Sequence, residues 1–250
     1  MLYLVRRRLA AARFALWRRV VTARLGRLGV EVRWELAGTP HCWTLPRLEP
    51  VIGPPGPGRL TIRLGRDVKL GRELILEVWT GTENLLEIDD RSTFEAFCRV
   101  QLQGGTIRLA HDVHVRDLAL LKTKSVLEVG EWTVLSRGVH LHATAGVHIG
   151  AHGAIGERSS LIDSDHTVGG SEPVLRRPLK AEPIVLGRNV AVSANCVLLR
   201  GTRVGENAVI AAGAVLNGGE YPAGWLVAGL PAHALRALES GNGEAAEASH

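Results

Sequence analysis

The segment Ile162-Asp163-Ser164-Asp165-His166 sets two carboxyl groups and an imidazole within five residues. A hydroxyl is a poor nucleophile near neutral pH, whereas an imidazole ordinarily titrates at about pH 6.5 and can take the hydroxyl's proton as it attacks a carbonyl. A carboxyl group beside the ring could orient it and hold one tautomer, and adjacency leaves Asp163 and Asp165 both open. A charged oxygen developing on the carbonyl would need backbone N–H donors, which corners of small residues such as Ser193 and Ala194 can expose.

Other chemistry is weaker. His111, His114, His140, His142, His148 and His152 make the middle of the chain rich in histidine and raise the question of zinc, but their spacing fits no ligand pattern, so no metal is expected. His140 precedes the segment at 162–166 by about one structural repeat and is a candidate to line the same cleft as substrate contact. Cys42, Cys98 and Cys196 are an odd, scattered set with no CxxC spacing, which indicates neither a disulfide framework nor a zinc knuckle and suits a reducing cytoplasm. The chain carries a formal +5, yet eight arginines and no acid lie in residues 1–30, leaving 22 basic against 25 acidic residues elsewhere. Charge confined to one terminal segment speaks against a nucleic-acid partner.

What must position these residues is a period of six. From Leu186 the chain reads LGRNVA, VSANCV, LLRGTR, VGENAV, IAAGAV, each six opening on an aliphatic residue. Six fits neither the 3.6 of a helix nor the alternation of a strand, but suits a short strand and a corner in every six residues. Three such sides close a triangular coil with the leading aliphatics inward. Earlier sixes start at Leu64 (LGRDVK, LGRELI, LEVWTG), and later turns lead with Ile88, Leu109, Val129 and Ile149, about 20 residues apart. That predicts a two-residue excess at one corner per turn. Between 162 and 185 the pattern breaks and then restarts in register, so this is an extended loop with His166 at its root.

The predicted organisation is an amphipathic basic helix at 1–28, a linker and cap at 29–58, the coil at 59–221, a last strand and short capping helix at 222–239, and a frayed tail at 240–250. On a helical wheel Val5, Leu9, Ala12, Leu16 and Val20 form one stripe and Tyr3, Phe14, Trp17 and Val21 another, with Arg7, Arg8, Arg18 and Arg19 opposite. Too short and too charged to cross a membrane or direct export, this helix is expected to lie on an anionic surface or to pack on its own domain or a neighbouring subunit.

The ordered set IDSDH at 162–166, IVLGRNVAVSAN at 184–195, VGENAVIAAGAV at 204–215 and VAGLPAHALR at 227–236 resembles the hexapeptide-repeat acyltransferases, in particular the sugar, capsule and O-antigen O-acetyltransferases. The resemblance covers 129–238 well and 64–121 by periodicity alone. It implies an all-β left-handed parallel β-helix, a homotrimer, and acetyl-CoA bound in a groove between subunits. It also implies a cytoplasmic enzyme that moves an acetyl group to a hydroxyl or amine of a sugar or polysaccharide precursor. By the same resemblance His166 is the general base. Ser193, Ala194, Ala212 and Gly213 line the cofactor groove, and Arg200, Arg203, His233 and Arg236 are candidate partners of the CoA phosphates. The sequence departs from the family where Ala191 replaces a usual tryptophan, Ser193 a glycine, Asn217-Gly218 a Thr-Lys pair, and Leu230-Pro231-Ala232-His233 a final Asn-Pro-Ala-Lys. Two rivals share the fold: a metal enzyme like the γ-class carbonic anhydrases, whose histidine pattern is not reproduced, and a non-catalytic scaffold.

Overall fold

In the computed structural model residues 2–239 are described, with side chains from residue 9 onward; the tail at 240–250 and the side chains of Tyr3, Val5, Arg7 and Arg8 lie outside the described residues. The chain winds as a left-handed parallel β-helix whose three faces are parallel sheets. The first face runs from Val30–Leu36 through Gly58–Leu64 to Gly219–Tyr221, the second from His41–Cys42 to Trp225–Gly229, and the third from Arg47–Val51 to Val215–Leu216. Each face takes one strand from every turn, because a six-residue unit is long enough for one short strand and one corner.

The leading aliphatics point inward and stack. Ile107 pairs with Leu127 and Leu127 with Val147, a step of 20 residues, and each of the three is fully buried. After the long loop the step falls to 18, with Val185 beside Arg203. The two extra residues of the longer turns sit at the corner between the third and first faces, where Leu121 leads to Val129 while the equivalent Leu198 leads to Val204. That corner is also where the extended loop leaves the coil.

The coil begins one turn before Arg59. The stretch 29–58, read as linker and cap with Val30 to Leu36 able to form a strand, contributes strands Val30–Leu36, His41–Cys42 and Arg47–Val51 to the coil. Pro50 is accommodated because its strand is the outermost of the third face and has a partner on one side only.

Both ends of the column are closed. The helix Leu2–Gly26 lays Phe14, Val21 and Leu25 on the open first turn. There Phe14, Trp17 and Trp34 pack with ring centroids 5.4 to 6.3 Å apart, and the Arg18 guanidinium lies 5.8 Å from the Phe14 and Trp34 rings. At the other end the predicted capping helix is absent. Ala232–Ala237 is a strand that turns back at Gly229 and pairs antiparallel with Trp225–Gly229. A helix of seven residues would carry the whole cost of nucleation, whereas the returning strand satisfies the exposed edge of the last coil.

The outer surfaces differ by face. The first face carries an ion-pair ladder, Glu35–Arg63–Glu87–Arg108–Glu128–His148, that suits water. On the second face Val134, Ala154, Ala191, Val209 and Leu226 stand in register. On the third Ser160, Val197 and Val215 align, beside Ile162 and Leu199. These outward columns are apolar or small from the middle of the coil onward.

Candidate active site

The root of the extended loop is built on one buried carboxyl group. Because the long corner has two extra residues, the backbone at Thr144, Ala145 and Gly146 turns three successive N–H groups toward the same point. Asp163, one turn further on and fully buried, fills it. Its Oδ2 accepts from Thr144, Ala145 and Gly146 at 2.8, 2.6 and 2.7 Å, and its Oδ1 accepts from Thr144 at 2.7 Å. The Asp163 carbonyl then accepts from the Glu182 N–H at 3.0 Å, clamping the two ends of the loop together. Above this clamp Ser164–His166 pairs antiparallel with Leu179–Ala181.

His166 is the last residue of that short ladder and is half-buried. Its Nδ1 lies 2.9 Å from the Arg177 carbonyl oxygen. A carbonyl can only accept, so Nδ1 carries the hydrogen and Nε2 presents its lone pair. The ring is thus held in the tautomer that a base working through Nε2 needs. The group that orients it is this main-chain carbonyl and neither aspartate: Asp163 is committed to the corner, and Asp165 accepts from Arg200 Nε at 3.0 Å. Sequence spacing cannot find such a partner, because any residue at 177 supplies a carbonyl.

The remaining predicted site residues fall into two groups. Ser193-Ala194 and Ala212-Gly213 occupy successive turns of one corner, between the second and third faces, and form a strip of small residues there. A Cβ built on Gly213 meets nothing within 4 Å, so the strip is open. The Ser193 N–H, expected as an oxyanion donor, is spent on Ile210 O at 2.9 Å, and that of Gly213 on Ala194 O at 3.0 Å, because both belong to the hydrogen-bond ladders of the coil. The second group is spread over the long corner, the first face and the terminal strand. Arg200 binds Asp165 and, through Nη1, Glu182 at 2.9 Å, so it braces the loop and is not free for a phosphate. Arg203 is exposed on the first face, and His233 and Arg236 are exposed on the terminal strand, where His233 lines an open cleft with Asn217, Glu220 and Tyr221. Within one chain, therefore, the small-residue strip and His166 stand on different corners with the third face between them.

On that face lie His140, the expected substrate contact, and the polar neighbours Lys122, His142 and Ser160, to which the sequence assigns no role. His142 and Lys122 are neighbours in register, as are His140 and Ser160. His142 Nε2 is 3.4 Å from Thr144 Oγ1, which is 3.0 Å from Ser164 Oγ, two residues before His166. Burial, with Lys122 adding to it, pushes the His142 pKa down to about 4, and burial lowers that of His140 as well. A folded-state pKa below that of the free imidazole means the unfolded chain protonates first. The stability due to a neutral His142 is therefore complete above about pH 6.5 and is lost between there and about 4. His142→Gln is expected to flatten the pH dependence of the urea midpoint in that window while leaving the midpoint at pH 7.5 little changed.

Among the described residues no group of three or more His, Cys, Asp or Glu could hold a metal ion. Burial pushes the Cys42 and Cys98 thiols up to about 11, which makes them poor nucleophiles at neutral pH.

Residues 183–218 match the family described as bacterial transferase hexapeptide, six repeats. A 2,3,4,5-tetrahydropyridine-2,6-dicarboxylate N-acetyltransferase of Staphylococcus aureus strain RF122 is 42% identical over 59 residues, covering 24% of this chain and 24% of that protein. The chain thus matches about a quarter of the length of the curated relatives. Among solved structures, a hexapeptide-repeat acetyltransferase of Vibrio cholerae O1 biovar eltor in complex with acetyl coenzyme A is 29% identical, covers 45% of this chain and 61% of that one, and has a TM-score of 0.41. The polySia specific acetyltransferase NeuO is 18% identical, covers 88% and 92% of the two chains, and has a TM-score of 0.45.

Proposed function

We propose that this chain, a member of the hexapeptide-repeat family, is a cytoplasmic acetyltransferase that moves an acetyl group from acetyl-CoA to a hydroxyl of a sugar or polysaccharide precursor, with His166 as general base. The observation that carries the reading is the His166 ring, fixed with Nδ1–H on the Arg177 carbonyl and Nε2 free at the root of the loop. The acceptor hydroxyl attacks the thioester carbonyl carbon while Nε2 takes its proton. The C–S bond breaks, and the departing CoA thiolate recovers that proton from the imidazolium. Acetyl-CoA supplies the activated acyl group. The short side chains of Ser193, Ala194, Ala212 and Gly213 leave room for its extended arm, and Arg203, His233 and Arg236 are the basic groups for its phosphates.

The working unit is a homotrimer. Its support is the separation of the small-residue strip from His166 on different corners of one chain, which a neighbouring copy would bridge. The apolar columns of the second and third faces, beside a first face covered in ion pairs, supply surface for that contact. The purified protein is expected to release free CoA thiol from acetyl-CoA in the presence of some member of a panel of sugars and lipid-linked sugars, and to scatter light as three chains. Silence across the panel would count against the activity, and a monomer mass at micromolar concentration against the shared site.

A further inference from the structure

The amino-terminal helix uses one of its two apolar stripes and leaves the other in water. Phe14, Val21 and Leu25 are buried on the coil and Trp17 packs beside them. On the opposite side Leu9, Leu16 and Val20 are 59%, 63% and 57% exposed. At 3.6 residues per turn these three fall within about 40° of one another. Exposed Arg13 and Arg24 border the stripe on one side and Arg19 on the other. The helix holds seven arginines and no acidic residue. Two more large apolar side chains, Trp43 and Ile52, stand exposed in the corners of the first turn, at the same end of the coil.

We propose that this end of the molecule docks on an anionic phospholipid bilayer. The helix lies in the plane of the interface, with Leu9, Leu16 and Val20 entering the acyl boundary and Arg13 and Arg19 on headgroup phosphates, while Arg24 donates through Nη1 to the Leu48 carbonyl. Charge selects this occupant: a second copy of the helix would set arginine against arginine with no carboxylate between them, whereas an anionic surface complements every charge on the exposed face. An apolar centre with basic flanks is the pattern of a helix that lies on a membrane, and no helix among the described residues is long and apolar enough to cross one. The proposal is independent of the acyl-transfer reading, because lipid binding is measured without turnover.

The test is co-sedimentation of the full chain with phosphatidylcholine vesicles, with and without phosphatidylglycerol. Binding is expected with phosphatidylglycerol only and to fade as salt rises. Arg13→Gln with Arg19→Gln should weaken partition by roughly 30-fold, from about 1 kcal/mol per basic residue near such a surface. Replacing Leu9, Leu16 and Val20 together by Ser should weaken it at least ~10-fold with circular dichroism unchanged, because the docked stripe is untouched. The proposal fails if the full chain ignores phosphatidylglycerol vesicles at low salt. It also fails if the triple Ser variant binds them as well as the parent; should that variant instead lose mass by light scattering, the stripe is a contact between copies.

Discussion

His166→Ala is expected to lower acetyl transfer by ~10²- to 10⁴-fold, or roughly 3 to 5 kcal/mol of barrier, while leaving thermal stability and the mass in solution nearly unchanged. The ring is half-buried at the outer end of a short ladder and makes one hydrogen bond, to a carbonyl that water can serve instead. Little of the coil depends on it. Rate and stability should therefore separate, and steady-state turnover beside a melting curve measures both. Near-normal turnover of an accepted sugar by His166→Ala would remove the proposed base. Asp165→Asn should have a small effect on rate, because Asp165 faces Arg200 and not the imidazole.

Asp163→Ala is expected to do the opposite and strike the fold first. The N–H groups of Thr144, Ala145 and Gly146 would lose their acceptor together. A buried donor left unpaired costs about 1 to 3 kcal/mol. Water can reach the two half-buried donors, so a total of roughly 3 kcal/mol is expected, read as a lower denaturant midpoint. Asp163→Asn should recover part of it, since its amide oxygen can stand where Oδ2 accepts all three N–H groups while its NH₂ confronts only that of Thr144. Activity should fall as well, because the same carboxyl group holds the corner from which the His166 ladder rises. A variant with parental stability and lost activity would mean that Asp163 acts on the imidazole directly.

The column of inward aliphatics was legible in the sequence because burial repeats there with a fixed period, and Leu109, Val129 and Ile149 each announce a turn. The two-residue excess was legible from the same spacing; its place at one corner was not, since corner residues have no common chemistry. The first turn was not legible as part of the coil because Val30 to Val51 lacks sixes with an aliphatic residue first and glycine second and contains Pro46 and Pro50. At the other end Ala232 to Ala237 is made of good helix formers, and only the unpaired edge of the preceding strand dictates its extended form. The position of His166 at the loop root could be read in advance. Its partner could not, because a main-chain carbonyl is present at every residue, and the engagement of Asp165 with Arg200 across 35 positions leaves no local signature.

The zipped base of the extended loop separates two requirements that most folds must satisfy with the same residues. The Ser164–Ala181, Asp165–Lys180 and His166–Leu179 pairs and the Asp163–Glu182 bond fix where the chain departs and returns, and the coil resumes at Ile184 beside Val147 as though nothing had intervened. Residues 168–176 can consequently change in length and composition without moving a single aliphatic of the column, provided the Arg177 carbonyl stays on the His166 ring. Change at the tip of the loop is thereby uncoupled from the imidazole at its base and from the scaffold beneath it.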